Sequence, residues 1–135
     1  MNEPAAFSWP VRVYWEDTDA GGVVYYATYL KFLERARSEW LRALGIEQTE
    51  LATRDGVVFV VRRVEVDYLR PARFNDLLRV DCRLNGLGRA SLDLIQGVWR
   101  DGEELARANV RLACVIHSEL RPARIPPHLV SLLKN

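Results

Sequence analysis

Residues 28–44 read Thr-Tyr-Leu-Lys-Phe-Leu-Glu-Arg-Ala-Arg-Ser-Glu-Trp-Leu-Arg-Ala-Leu, and this stretch decides the fold. Tyr29, Leu30, Leu33, Ala36, Trp40, Leu41 and Leu44 recur at spacings of three and four, which is the signature of one apolar helix face. Lys31, Glu34, Arg35, Arg37, Ser38, Glu39 and Arg42 fill the opposite face, and Gly45 is a C-terminal stop. Glu34 and Glu39, spaced against Arg35 and Arg37, read as surface ion pairs. A stripe this wide, with a Trp in it, must lie against a sheet.

Strand patterns flank the helix on both sides. Before it, Trp9, Val11, Val13 and Trp15 alternate with Pro10, Arg12 and Tyr14. After it, Val57 to Val61 is a branched apolar run, read as a strand buried on both faces, which Val64, Val66 and Tyr68 continue. Leu78, Val80, Cys82 and Leu84 form the next alternation, and Gly86 and Gly88 mark a turn. Leu92, Leu94, Val98 and Trp99 follow, with Gly97 as a bulge position. Asp101-Gly102 is a hairpin signal, and Ala106 to Ile116 alternates to the end of the last strand. One or two helical turns are expected from His128 to Leu133. The order is strand, long helix, then four strands joined by tight turns. That is an α+β arrangement, a curved antiparallel sheet of about five strands packed on one long helix. A single helix leaves such a sheet partly uncovered, so a homo-oligomer joined through an edge strand is expected.

The chain has 135 residues, which is the size of one domain, residues 1–135. Its 19 Lys and Arg against 18 Asp and Glu leave a net charge of +1, with no global field for nucleic acid or an anionic membrane. No apolar run reaches the ~18 residues of a bilayer span. Met1 to Pro10 has neither the positive charge nor the apolar stretch of a secretory signal, so a cytoplasmic protein is expected. Cys82 and Cys114 fall in apolar phases and read as reduced core thiols. No elbow of the Gly-x-Ser-x-Gly type, no dinucleotide glycine pattern and no zinc spacing is present. Cys114 and His117 sit three apart on a strand and so on opposite faces. A calcium loop starting at Asp17 is excluded because its twelfth position is Thr28, not Glu.

What remains is Glu16 to Tyr29, where three carboxylates lie within four positions, followed by two glycines and a helix start. Asp before Gly-Gly is ordinary turn chemistry. It is also a way to set a carboxylate, as base or nucleophile, opposite the outward N–H groups that open a helix. Those amides favour developing negative charge, and the glycines let a thioester approach the backbone. This requires a cavity between the carboxylate and the amides around position 26.

The run Val13-Tyr14-Trp15-Glu16-Asp17-Thr18-Asp19-Ala20-Gly21-Gly22-Val23-Val24-Tyr25-Tyr26-Ala27-Thr28-Tyr29-Leu30, followed by Phe32 to Arg37, resembles the hotdog-fold acyl-CoA thioesterases of the 4-hydroxybenzoyl-CoA thioesterase type, and within it the Tol-Pal-associated acyl-CoA thioesterases. The resemblance continues through Phe59 to Arg62, Tyr68 to Arg73 and Arg121 to Pro126. It implies a hotdog fold and hydrolysis of short-chain or aromatic acyl-CoA, without a cofactor or metal. It also implies dimers or tetramers with sites at the subunit interface. Under it, Asp19 rather than Asp17 is the catalytic carboxylate, and the Tyr26 N–H polarises the carbonyl. Gly22 and Tyr25 contact substrate, and Arg89 and Ser91 hold the CoA phosphates or pantetheine. Tyr26 stands where Tol-Pal-associated members commonly carry His, so the mechanism it implies is carboxylate plus backbone, not imidazole. Acyl carrier protein is an alternative carrier. Two other roles are open to the same fold: a dehydratase or hydratase, for which His117 and His128 are poorly placed, and a non-enzymatic acyl-carrier-protein or cell-envelope interaction module.

Overall fold

The computed structural model describes residues 4–134; Met1 to Glu3, the start of the N-terminal stretch read above, and Asn135 lie outside the described residues. The strands are β1 (Ser8–Arg12), β2 (Val57–Tyr68), β3 (Leu77–Asp81), β4 (Arg83–Leu87), β5 (Ser91–Arg100) and β6 (Glu103–Ile116). They form one antiparallel sheet in the order β1-β3-β5-β6-β2, with β4 also on β5. Strands β3 and β4 are one line of chain broken at Cys82, so the expected count of about five strands describes the same sheet. The long helix α1 (Thr28–Ala43) lies on its concave face, and a short C-terminal helix (Pro127–Leu133) closes one end with Leu129 and Leu133. This is the hotdog arrangement.

The alternating pattern of β6 decides its faces. Ala106, Ala108, Val110, Leu112 and Cys114 point into the core, while Arg107, Asn109 and Arg111 point out. The β5–β6 hairpin turns at Asp101 and Gly102, both at positive φ (49° and 82°), as a two-residue turn demands. The bulge expected at Gly97 lies instead on the facing strand: Val98 pairs with Ala106 and Trp99 with Glu104, which leaves Leu105 of β6 as the extra residue. Gly97 is required for space: a Cβ would stand 2.6 Å from Trp99 Nε1. That indole N–H donates to Asp81 Oδ2 at 3.0 Å, and the Gly97 amide donates to Asp81 Oδ1.

Several expectations are corrected. The first strand ends at Arg12, and Trp15 to Asp17 is a turn of 3-10 helix, so Trp15 is exposed and stacks on Phe74 with ring centroids 3.7 Å apart. Residues 48–55 form a short helical segment ending in a π turn, which no periodicity announced. The run Val57–Val61 is not buried on both faces: β2 is one edge of the sheet, and Val60 and Val61 are 38% and 49% exposed. Leu30 is exposed, whereas Phe32 and Arg37 are buried under α1. Arg37 therefore forms no surface ion pair; the ion pair on that face joins Glu39 to Arg42 at 2.7 Å.

Arg37 is a cation buried in this structure. Its Nη1 donates to Gln96 Oε1 at 3.2 Å, and Gln96 Nε2 donates to the carbonyls of Leu33 and Asp81 at 3.0 and 3.2 Å. Burial pushes the Arg37 guanidinium below its ordinary pKa, and it still keeps its charge at neutral pH. Gln96→Ala removes the side-chain acceptor of that cation and one donor bond to each of the Leu33 and Asp81 carbonyls. The expected cost is about 3 kcal/mol, the scale for leaving a buried charged donor unpaired, read as a lowered midpoint in urea unfolding.

Candidate active site

The loop before α1 is a tight hairpin. Asp19 N–H donates to Val23 O at 2.9 Å and Gly22 N–H to Asp19 O at 3.0 Å, with Thr18 bridged to Val24. Ala20, Gly21 and Gly22 are thus a three-residue loop, the kind that ends in a left-handed residue. Gly22, at φ +80°, is that residue. A Cβ on Gly22 would meet nothing within 4 Å, so Gly22→Ala costs backbone strain alone. A loss of about 1–2 kcal/mol is expected, measured as a lowered thermal midpoint.

The loop fixes its two aspartates differently. Asp17 is buried, and its Oδ2 accepts the Tyr14 N–H at 2.8 Å, so it holds the chain's entry into the loop. Asp19 is exposed, and its Oδ1 accepts the Gly21 N–H at 2.8 Å. That bond orients the carboxylate and leaves Oδ2 open. Tyr25 N–H bonds back to Asp17 O at 2.9 Å, and Val24 N–H to Ala72 O at 2.8 Å. These bonds fold the aspartate loop onto the start of α1.

The helix start is open. No side chain caps α1, and its first turn holds no acidic residue. Among the described residues, neither the Tyr26 nor the Ala27 amide has an acceptor. Such amides, at the positive end of a 16-residue helix, are ready donors to an oxygen that gains negative charge. Tyr25 and Tyr26 are exposed beside them, with ring centroids 4.8 Å apart. The Tyr25 phenol is pushed above its ordinary pKa, chiefly by the adjacent Tyr26 phenol. It stays neutral near pH 7.

Arg89 and Ser91 lie elsewhere. Ser91 pairs with Ala113 and Ala113 with Val60, at one end of the sheet; Tyr68, which touches Tyr26, pairs with Ala106 and through it with Val98, at the other. The seven steps along β5 from Ser91 to Val98 separate those ends, about 23 Å at ~3.3 Å per residue. A single chain thus brings Asp19, Gly22, Tyr25 and Tyr26 together but not Arg89 and Ser91. Nor does it enclose Asp19. A cleft of about 360 Å³ lined by Trp9, Arg12, Tyr14, Asp17 and Arg35 stops short of it. Asp19 is thus exposed and lines none of the clefts described in the isolated chain, so the expected cavity is not found around it.

No cluster of three or more His, Cys, Asp or Glu suited to a metal ion occurs among the described residues. Nor is any helix among them long and apolar enough to cross a membrane. Both cysteines are free and buried; burial pushes the Cys114 thiol up to about 11 and the Cys82 thiol higher still, so neither is a nucleophile near neutral pH. The sequence alone did not single out Ala27 or Tyr68. The signal for Tyr68 was present, since it ends the alternation Val64, Val66, Tyr68 with a polar tip that seeks a partner.

Residues 13–133 match the model of the thioesterase-like superfamily. The acyl-CoA thioesterase YbgC of Haemophilus influenzae is 43% identical over 120 residues, covering 89% of this chain and 88% of that protein. The acyl-CoA thioester hydrolase YbgC of Escherichia coli is 41% identical over 129 residues, covering 95% and 96%. Among solved structures, a probable thioesterase from Bartonella henselae superposes with a TM-score of 0.85 at 39% identity, covering 88% of this chain and 98% of that one.

Proposed function

The chain belongs to the thioesterase-like superfamily and is an acyl-CoA thioester hydrolase, and from that premise we propose that Asp19 and the open amides at the start of α1 carry the reaction. The observation that carries this reading is the pair of adjacent amides, Tyr26 and Ala27, left without an acceptor among the described residues on a helix that no side chain caps. The thioester carbonyl oxygen docks on those amides, and Tyr25 and Gly22 border the acyl group. Asp19 either adds to the carbonyl carbon or takes a proton from a water that does so. The tetrahedral oxygen carries the charge toward the amides. Its collapse breaks the carbon–sulfur bond and releases CoA as the thiolate, which takes up a proton. If Asp19 has added, water then cleaves the acyl-aspartyl anhydride. No cofactor enters, since a carboxylate, water and two amides balance the reaction.

We further propose that the working enzyme is at least a dimer in the cytoplasm, each chain one domain over residues 1–135. The charge of β2 supports this. Arg62 and Arg63 precede Val64, and Glu65 and Asp67 follow it. Antiparallel pairing of β2 with its copy sets the basic half of each strand against the acidic half of the other and covers Val60 and Val61. It also brings the Arg89 and Ser91 end of one chain beside the Asp19 end of its partner. Arg89 then supplies the guanidinium for a CoA phosphate.

The substrate is a short-chain or aromatic acyl-CoA, a pocket bordered by Tyr25 and Tyr26 being suited to a flat acyl group. Thiol release from a panel of acyl-CoA and acyl-carrier-protein thioesters tests this. Turnover highest with short or aromatic CoA esters is expected. Preference for carrier-protein thioesters would overturn the choice of carrier.

A further inference from the structure

Tyr68 is the last residue of β2, and its hydroxyl donates to the Tyr26 carbonyl at 2.8 Å. A peptide unit is planar and trans, so its C=O and N–H point in opposite directions. Fixing the carbonyl of one unit therefore aims the amide at its other edge. Two such units meet at Tyr26. In the first, the Tyr25 carbonyl accepts the Thr28 N–H at 2.8 Å, which turns the Tyr26 N–H away from the helix. In the second, the Tyr26 carbonyl accepts the Tyr68 hydroxyl, which turns the Ala27 N–H away from β2. The first anchor is local to the helix start. The second comes from 42 residues away, on the edge strand.

The Tyr68 ring is itself held. It packs edge-on against Tyr29 at 5.2 Å and Tyr26 at 6.4 Å between centroids. Tyr29 is buried, and its own hydroxyl accepts the Ala72 N–H at 3.0 Å. Burial, then Tyr29 and Tyr26, raise the Tyr68 phenol above its ordinary pKa, so it remains a donor through the neutral range.

We infer that Tyr68 is a positioning residue of the thioesterase reaction: its hydroxyl clamps the Tyr26 carbonyl and so holds the Ala27 amide, beside the Tyr26 amide that the Thr28 bond holds, in the orientation that receives the carbonyl oxygen. This rests on the proposal that those amides form the oxyanion site. It goes beyond that proposal by linking the edge strand to the helix start. An interface strand that ends in the clamp also makes amide geometry depend on how β2 is held.

The test combines Tyr68→Phe with a direct view of the substrate carbonyl. The ring contacts survive in Tyr68→Phe and only the hydroxyl is lost. kcat is expected to fall about threefold to tenfold, the equivalent of one neutral hydrogen bond, with KM unchanged. The carbonyl stretch of the best acyl-CoA of the panel, bound to the slow Asp19→Asn protein, is then compared by difference infrared spectroscopy with that of the free thioester. A lowered frequency in Asp19→Asn that moves back toward the free value in Asp19→Asn/Tyr68→Phe supports the clamp. A lowered frequency identical in both proteins overturns the clamp and leaves the oxyanion proposal standing. No lowering in Asp19→Asn overturns the oxyanion proposal and the clamp with it. A kcat loss in Tyr68→Phe with an unchanged band and a lower melting temperature marks a structural role alone and likewise overturns the clamp.

Discussion

Asp19→Asn is expected to lower kcat by roughly 10²–10⁴-fold, the range for losing a positioned base or nucleophile, with folding intact. The substitution is selective because of what Asp19 does in the loop. Its Oδ1 accepts the Gly21 N–H, a bond that an amide oxygen makes equally well, and the side chain is otherwise exposed. Asn therefore keeps the turn and removes the negative charge and the proton-accepting lone pair. Asp17→Asn differs. Asp17 is buried with Oδ2 bonded to the Tyr14 N–H, so that change acts on the loop's anchoring and on stability before it acts on chemistry. Thiol release and thermal unfolding measured on both variants separate the roles. Asp19→Asn should be slow and stable, Asp17→Asn less stable. Turnover close to the parent protein's in Asp19→Asn would end the assignment.

The fold was legible because its determinants are local and periodic. The alternation of β6 and the Asp101-Gly102 turn follow from spacing alone, and so does most of the helix face, with Tyr29, Leu33, Ala36, Trp40 and Leu41 buried as spaced but Leu30 exposed. Failures came where a particular side-chain partner or a strand's place in the sheet overrides the local pattern. Arg37 reads as solvated from its neighbours, yet Gln96, 59 residues on, receives it inside the core. Trp15 reads as a strand residue, yet the Asp17 carboxylate draws the backbone into a 3-10 turn and leaves the indole to stack on Phe74. Val60 and Val61 are apolar enough for a central strand and nonetheless lie at the sheet edge. The candidate site divides along the same line. Asp19, Gly22, Tyr25 and Tyr26 are contiguous in sequence and meet in space, whereas Arg89 and Ser91 are remote in both, and nothing in a single chain draws them in. The clamp by Tyr68 spans 42 residues and lies beyond any pattern of spacing.

Reversing the basic half of β2, Arg62→Glu with Arg63→Glu, is expected to split the dimer. Each edge would then present carboxylates at positions 62, 63, 65 and 67 to an identical edge, and like charges set against one another across an interface cost several kcal/mol. Dissociation is expected to strengthen roughly 100-fold or more, seen as a lighter species in sedimentation at micromolar protein. The fold itself should persist. The Arg63–Glu65 ion pair lost within the chain spans 2.9 Å but is well exposed on both sides, and pairs of that kind contribute little. Activity should fall with the dimer, because the Asp19 loop loses the partner surface that encloses it. The decisive arm is the compensating variant. Adding Glu65→Arg and Asp67→Arg to the same chain restores opposite charge across an antiparallel pair with the polarity of each strand reversed. It should recover both the heavier species and the turnover. Were the strands to pair parallel, residues of the same number would face each other. The parent protein would then already set like charges together, and the compensated chain would gain nothing over the doubly reversed one. A monomeric double variant with full activity would instead show that one chain holds a complete site.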